Sequence, residues 1–257
     1  MAFERLSHNT LSKQVVRAIR HQIFSGALKP NQRVVEAEIA TEMGISRGPV
    51  REAFAELEKE GLIITYPRKG TYVKSFELKD IEEIYTLRAL LEGFAVSLAL
   101  DRLQEKDLDY LGDLLDQIVE MAEKKDVIEV SRLNMQFHKK IMELSNHKRL
   151  YDTWQSLLAQ TQMLSAMTTE YYTSLIDIRK SHKVLLDALV TGDRDLIRKS
   201  FETHILKSMN ELLDFLGKMK QEGTSKEIRA GDPPGEERAE TKQRKGMEGA
   251  EHAAGDF

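Results

Sequence analysis

The sequence predicts a mainly α chain in two folded parts: a small α+β domain over residues 1–76 and an all-helical bundle over 77–220, with a charged tail over 221–257. Three observations carry this. Apolar residues recur at helical spacing along most of the 257 residues, with glycine or asparagine at several of the breaks. A single segment, 62–73, reads as a hairpin. After Asp80 no strand-like alternation returns, which leaves a set of helices to bury one another.

Taken in order, residues 11–25 (LSKQVVRAIRHQIFS) put Leu11, Val15, Ala18, Ile19 and Ile23 on one helical face, and Gly26 stops the helix. Lys29-Pro30-Asn31 is a turn. A second helix, about Glu36 to Met43, would bury Ile39, Ala40 and Met43, with Gly44 in the left-handed position just past its end. A third runs from about Arg47 to Glu60 and ends at Gly61. Ser46 is suited to cap it, and Pro49 falls in the first turn, where backbone N–H groups lack helical partners anyway. Val50, Ala53, Phe54 and Leu57 form its apolar face. Arg47 and Arg51, four residues apart, project together from the other side. A helix amino terminus carries partial positive charge, so two arginines there repel unless an anion arrives. Leu62 to Tyr66, the turn Pro67-Arg68-Lys69-Gly70 and Thr71 to Val73 then form a hairpin with a basic tip. Two helices about a tight turn, followed by a basic hairpin, make a winged helix-turn-helix.

The bundle is read as helices near 80–101, 106–123, 126–145, 148–170, 174–190 and 193–219, with Asn146 and Gly192-Asp193 at two of the breaks. The tail from Gln221 is rich in glycine, proline and charge, and is expected to be disordered. The net charge of −4 is unevenly spread: residues 1–76 hold 12 Lys and Arg against 8 Asp and Glu, and residues 77–257 hold 26 against 34. That asymmetry points the amino-terminal part at a polyanion. There is no cysteine, which excludes disulfides and thiolate metal sites. No apolar run approaches the roughly 18–20 residues that span a bilayer, and the first residues lack a secretory layout. A cytoplasmic protein with no membrane partner is expected.

Three histidines sit where apolar residues belong. The inward stripe of helix 126–145 is Val127, Val130, Asn134, Phe137, His138 and Ile141. That of 174–190 is Leu175, Ile178, His182, Leu185, Leu186 and Leu189. That of 193–219 is Ile197, Phe201, His204, Ile205, Ser208 and Leu212. A lone inward histidine is usually a core residue with a hydrogen bond. Three on facing stripes are costly to bury unless something shared satisfies them. A divalent metal ion does so, and neutral imidazole suits Zn, Ni, Cu or Fe. Arg88 also lies on an inward stripe, with Ile81, Ile84, Leu91 and Ala95. An ion pair with Glu92 and a contact to a bound anion are equally good accounts of it.

Residues 15–73, including VVEAEIATEMGISRGPVREAFAELEKEGLIITYPRKGTYV, resemble the DNA-binding domain of the GntR family of bacterial transcription regulators. The match rests on Glu36, Ile39-Ala40, Gly44, Ser46-Arg47, Pro49 to Ala53, Leu57, Glu60-Gly61-Leu62 and Gly70. The resemblance implies contact with double-stranded DNA, a palindromic operator read by a homodimer, through Arg47, Gly48, Pro49 and Arg51 of the recognition helix and Lys69 and Gly70 of the wing. Ala37 stands where many members carry an arginine, and Gly48 where threonine is usual. Residues 78–212 are similar to the FCD effector domain of one branch of that family, on Leu87-Arg88 with Glu92, Asn134 with Phe137-His138, Ser145-Asn146 with Leu150, His182 with Leu189, and His204. There the positions of Asn134, His138, His182 and His204 hold a divalent metal.

An asparagine and three neutral histidines leave the ion's charge unbalanced, so an anion is the expected further occupant. The resemblance agrees, because members of the branch commonly sense small organic acids. The expected function is a repressor whose operator binding answers to a small carboxylate effector, with Arg88 as an effector contact. Two alternatives remain: the ion is itself the signal, or the site is a metal-dependent enzyme acting on a small acid. No inward Glu or Asp near the histidines offers a general base for the enzyme.

Overall fold

The computed structural model describes residues 9–169 and 175–221, and the predicted tail lies outside the described residues. The elements are α1 (Asn9–Phe24), β1 (Arg33–Val34), α2 (Glu36–Glu42), α3 (Arg47–Lys59), β2 (Ile63–Tyr66) and β3 (Gly70–Val73), then α4 (Leu78–Ala99), α5 (Glu105–Glu123), α6 (Val127–Leu144), α7 (Lys148–Thr169), α8 (Leu175–Thr191) and α9 (Arg194–Gln221). Helix ends fall within two residues of the breaks read from the sequence, because local backbone chemistry sets them. Gly44, for example, has φ +65, a conformation a residue with Cβ adopts at a cost, and this lets α2 turn tightly into α3.

In the amino-terminal part, Val15, Val16, Ile19 and Ile23 of α1 meet Val50, Ala53, Phe54 and Leu57 of α3 in an apolar core closed by Leu62, Ile63 and Val73. Three outward residues correct the sequence reading: Leu11, Ala18 and Met43 are exposed, and the inward set of α2 reduces to buried Ala40 and half-buried Ile39. The hairpin has a third strand that the sequence did not reveal. β1 pairs antiparallel with β3, giving the order β1-β3-β2, with Arg33 opposite Tyr72 and Val34 opposite Thr71.

In the bundle, α4 lies along α9 and also touches α6 and α7, while α5 pairs with α6 and α8. Capping boxes start two of these helices. At α4 the Glu77 N–H donates to Asp80 Oδ2 at 2.8 Å, and at α5 the Gln104 N–H donates to Asp107 Oδ2 at 3.0 Å. Each satisfies a backbone donor that the helix leaves unpaired. Phe137, Ile141, Leu185, Ile197 and Phe201 form the central core beside Leu111 and Ile118 of α5. Each such side chain contributes about 1.5–3 kcal/mol through burial. The carboxy-terminal half of α7 serves both parts: Met163, only 2% exposed, belongs to the core built on α1 and α3, while Leu164 is buried among residues of α4 and α9.

Candidate nucleic-acid interface and candidate metal centre

The start of α3 is built from the inside outward. Pro49 and Val50 are buried, whereas Arg47, Gly48 and Arg51 are exposed. The Pro49 ring is buried against the domain in the first turn of the helix. Ser46 has the extended backbone of a capping residue (φ −75, ψ 161) but its hydroxyl makes no capping hydrogen bond, so it starts the helix by conformation alone. A Cβ at Gly48 would meet nothing closer than Ser46 Oγ at 4.0 Å, so internal packing does not require glycine there. Arg51 is tied only loosely, its Nε 3.4 Å from Glu36 Oε2 on an exposed face. Such pairs are worth well under about 1 kcal/mol, so the guanidinium is easily redirected to a phosphate or a base.

The wing is stiffened from within. Tyr72 donates its hydroxyl to the Lys69 carbonyl at 3.0 Å, Thr65 and Thr71 hydroxyls pair at 3.1 Å, and Tyr66 and Tyr72 meet edge to face. Arg68 and Lys69 are exposed at its tip. Arg33 lies across Gly70, where a Cβ would come within 2.9 Å of its Nε. Arg33 thus joins the basic surface, a placement the sequence did not disclose because it depends on β1 pairing with β3.

The three inward histidines come together. One ring nitrogen from each of His138, His182 and His204 lies within 4.8 Å of the other two. The ring centroids of His182 and His204 are 4.7 Å apart, and those of His138 and His204 are 5.4 Å apart and stacked. Asn134 joins them: His182 Nε2 is 2.7 Å from Asn134 Oδ1; in one tautomer the ring donates to that oxygen, and in the other both atoms have lone pairs to offer an ion. The donors suit an ion. Around a tetrahedral zinc with Zn–N of about 2.0–2.1 Å the nitrogens would stand about 3.4 Å apart, a modest contraction.

Glu92 is the functional residue the sequence reading missed, and it overturns the expectation that no carboxylate stands near the histidines. It is fully buried. One oxygen accepts Arg88 Nε–H at 2.5 Å and Trp154 Nε1–H at 2.8 Å, and the other is 2.5 Å from His138 Nδ1. Burial works against the carboxylate, but Arg88, His138 and Trp154 outweigh it and hold its pKa at about 2. An ionised carboxylate only accepts, so His138 donates from Nδ1. Burial lowers the His138 pKa, with Arg88 adding to the effect against the pull of Glu92. Its ring is therefore neutral, with the Nε2 lone pair turned away from Glu92. That Nε2 is buried and has no hydrogen-bond partner, which fits a metal ligand. His204 lies well below its ordinary value, through burial first and then His182, His138, Arg88 and Lys207.

Of the two accounts of Arg88, the ion pair with Glu92 is formed, with both side chains buried. The signal available in sequence was the i, i+4 spacing alone. The contacts of Glu92 to α6 and α7 arise from helix crossings.

Residues 11–73 match the family description "Bacterial regulatory proteins, gntR family", and residues 83–207 match "FCD domain". The chain is 31% identical over 202 residues to the probable D-xylose utilization operon transcriptional repressor of Paenarthrobacter nicotinovorans, a match that covers 79% of this chain and 88% of that protein. It is 35% identical over 138 residues to the HTH-type transcriptional regulator YdhC of Bacillus subtilis, covering 53% of this chain and 62% of that one. Among solved structures, Escherichia coli McbR/YncC superposes with a TM-score of 0.68 at 26% identity, over 80% of this chain and 99% of that one. No helix among the described residues is long and apolar enough to cross a membrane.

Proposed function

The chain belongs to the GntR family of bacterial regulatory proteins and carries an FCD domain, and from that premise we propose that a divalent ion held by His138, His182, His204 and Asn134 controls its grip on a palindromic operator. It is a DNA-binding transcriptional regulator, in a family of regulators and not of enzymes. The observation that carries the metal reading is the unpartnered, buried Nε2 of His138 at the meeting point of three imidazoles.

Arg47 and Arg51 of α3 read base edges in the major groove, beside the bare helix start left by Gly48 and set by Pro49. Lys69 and Gly70 of the wing track the backbone. The outcome is repression, in the cytoplasm. Within the bundle, Glu92 orients His138, and Arg88 neutralises Glu92, so this pair offers the ion no net charge. Zinc or nickel bound there supplies a Lewis-acidic anchor for the oxygens of a small carboxylate effector. Arg88 adds positive potential near the cluster, as its effect on His138 and His204 indicates. Its pairing with Glu92 also favours a second reading, in which the ion alone is the signal.

A second copy of the chain completes the reading head. Leu87, Leu90 and Phe94 make an exposed apolar stripe on α4, with Leu90 64% exposed. The charges flanking it are paired within the chain, Glu83 with Lys79 and Arg194 with Asp101, which leaves the apolar stripe as the contact. Leu90→Lys is expected to yield monomers in sedimentation. For the metal, elemental analysis after incubation with zinc or nickel should give about one ion per chain, and a sharply lower content for His182→Ala. Wild-type protein that takes up neither ion refutes the site.

A further inference from the structure

Helix α7 runs without a break from Lys148 to Thr169 and meets both halves of the molecule. At its bundle end, Trp154 is 1% exposed, and its indole N–H holds the same carboxylate that holds His138. Whatever draws His138 toward the centre of the cluster pulls on the group that anchors α7. About one and a half and two and a half turns on, Ala159 and Met163 pack into the core of the winged helix. Between them, Gln160 lies against Gly61. A Cβ at Gly61 would stand 2.6 Å from Gln160 Nε2, so that side chain would have to shift, and Gly61 has φ +70, so the backbone itself favours glycine.

Gly61 directly follows Glu60, the C-cap residue just past the recognition helix and the partner of Arg20 on α1 at 2.5 Å. Nine residues of helix separate Trp154 from Met163, about 13 Å of axis. A close-packed helix of that length shifts as a rod, because its contacts at both ends are discrete arrangements and not a yielding medium.

We propose that α7 positions the recognition helix: Trp154 follows the state of the histidine cluster through Glu92, and Gln160 with Met163 sets the carboxy end of α3. Trp154, Gln160 and Met163 are positioning residues that touch neither DNA nor ion. The input rests on the metal reading above, while the mechanical link from Trp154 to α3 does not.

The test is hydrogen–deuterium exchange on the full chain, with zinc as the only added ligand. In the wild type, zinc changes exchange at amides 57–62 by about fivefold or more, the low end of ordinary coupling. In Gln160→Ala the zinc content and the change around residue 154 are kept, and the change at 57–62 is lost. A second comparison uses metal-free protein: Trp154→Phe, which removes the indole N–H and keeps a ring, alters exchange at 57–62 only when Gln160 is present. If zinc does not bind, the metal reading falls and this second comparison alone decides the link. The link is overturned if zinc binds and 57–62 do not respond. It is equally overturned if the effects of Trp154→Phe and Gln160→Ala simply add.

Discussion

The winged helix and the bundle place their polar groups in opposite ways. Among the described residues, the core around α1 and α3 is apolar, with Ser12 as the buried polar side chain, and its arginines and lysines face outward. The bundle buries Arg88, Glu92, His138 and His182 together in its interior. A charged surface can be rewritten at little cost to folding, since exposed pairs contribute little. A buried network is another matter: desolvation is offset only while every member keeps its partner. The difference assigns the tasks. On the proposed function, recognition sits where substitutions change affinity and spare the fold, and control sits at the buried histidines, where His138 Nε2 has no hydrogen-bond partner.

Three substitutions sharpen or break this contrast. The largest effect is expected from Glu92→Ala, which leaves Arg88 buried without its carboxylate and His138 and Trp154 without an acceptor. Urea unfolding should show a loss of about 3–5 kcal/mol; a change under about 1 kcal/mol would mean that water, and not Glu92, satisfies the network. Next is Arg47→Ala. Stability should change by less than about 0.5 kcal/mol, while affinity for a selected operator falls by about 1–3 kcal/mol, roughly fivefold to 150-fold. Unchanged discrimination between operator and bulk DNA would remove α3 from the reading surface. The smallest is Ser46→Ala. Because the hydroxyl makes no capping bond, the cost should lie at or below the low end of the usual cap range, about 0.5 kcal/mol, in thermal unfolding. A loss near 2 kcal/mol would show that the cap forms in solution.

Much of this contrast was legible in the sequence, and the remainder has identifiable causes. Helix ends were readable because Gly26, Gly44, Gly61, Asn146 and Gly192 all adopt positive φ, a property written into single residues. The three histidines were readable because helical period alone fixes which face they occupy. Leu11 and Met43 were misplaced because period does not say how far the covering layer extends at the edge of a stripe. β1 was hidden because two residues carry no pattern of their own and pair with a strand far along the chain. Glu92 read as the local partner of Arg88, since nothing in sequence shows α4 crossing α6 and α7 at that level. Gln160 and Met163 looked like bundle positions for the same reason. Their helix is continuous, and only the fold shows its far end seated against α1 and against Gly61, just past α3.

The most direct test of the account is one titration: operator DNA, selected from random fragments, bound by wild-type protein and by His182→Ala, each metal-free, zinc-loaded, and zinc-loaded with a panel of small organic acids. The account predicts that the wild type changes affinity by about fivefold or more between the metal-free state and at least one loaded state, while His182→Ala binds the same DNA and stays at one affinity throughout. Equal affinities for the wild type in every state, with zinc bound, would contradict it.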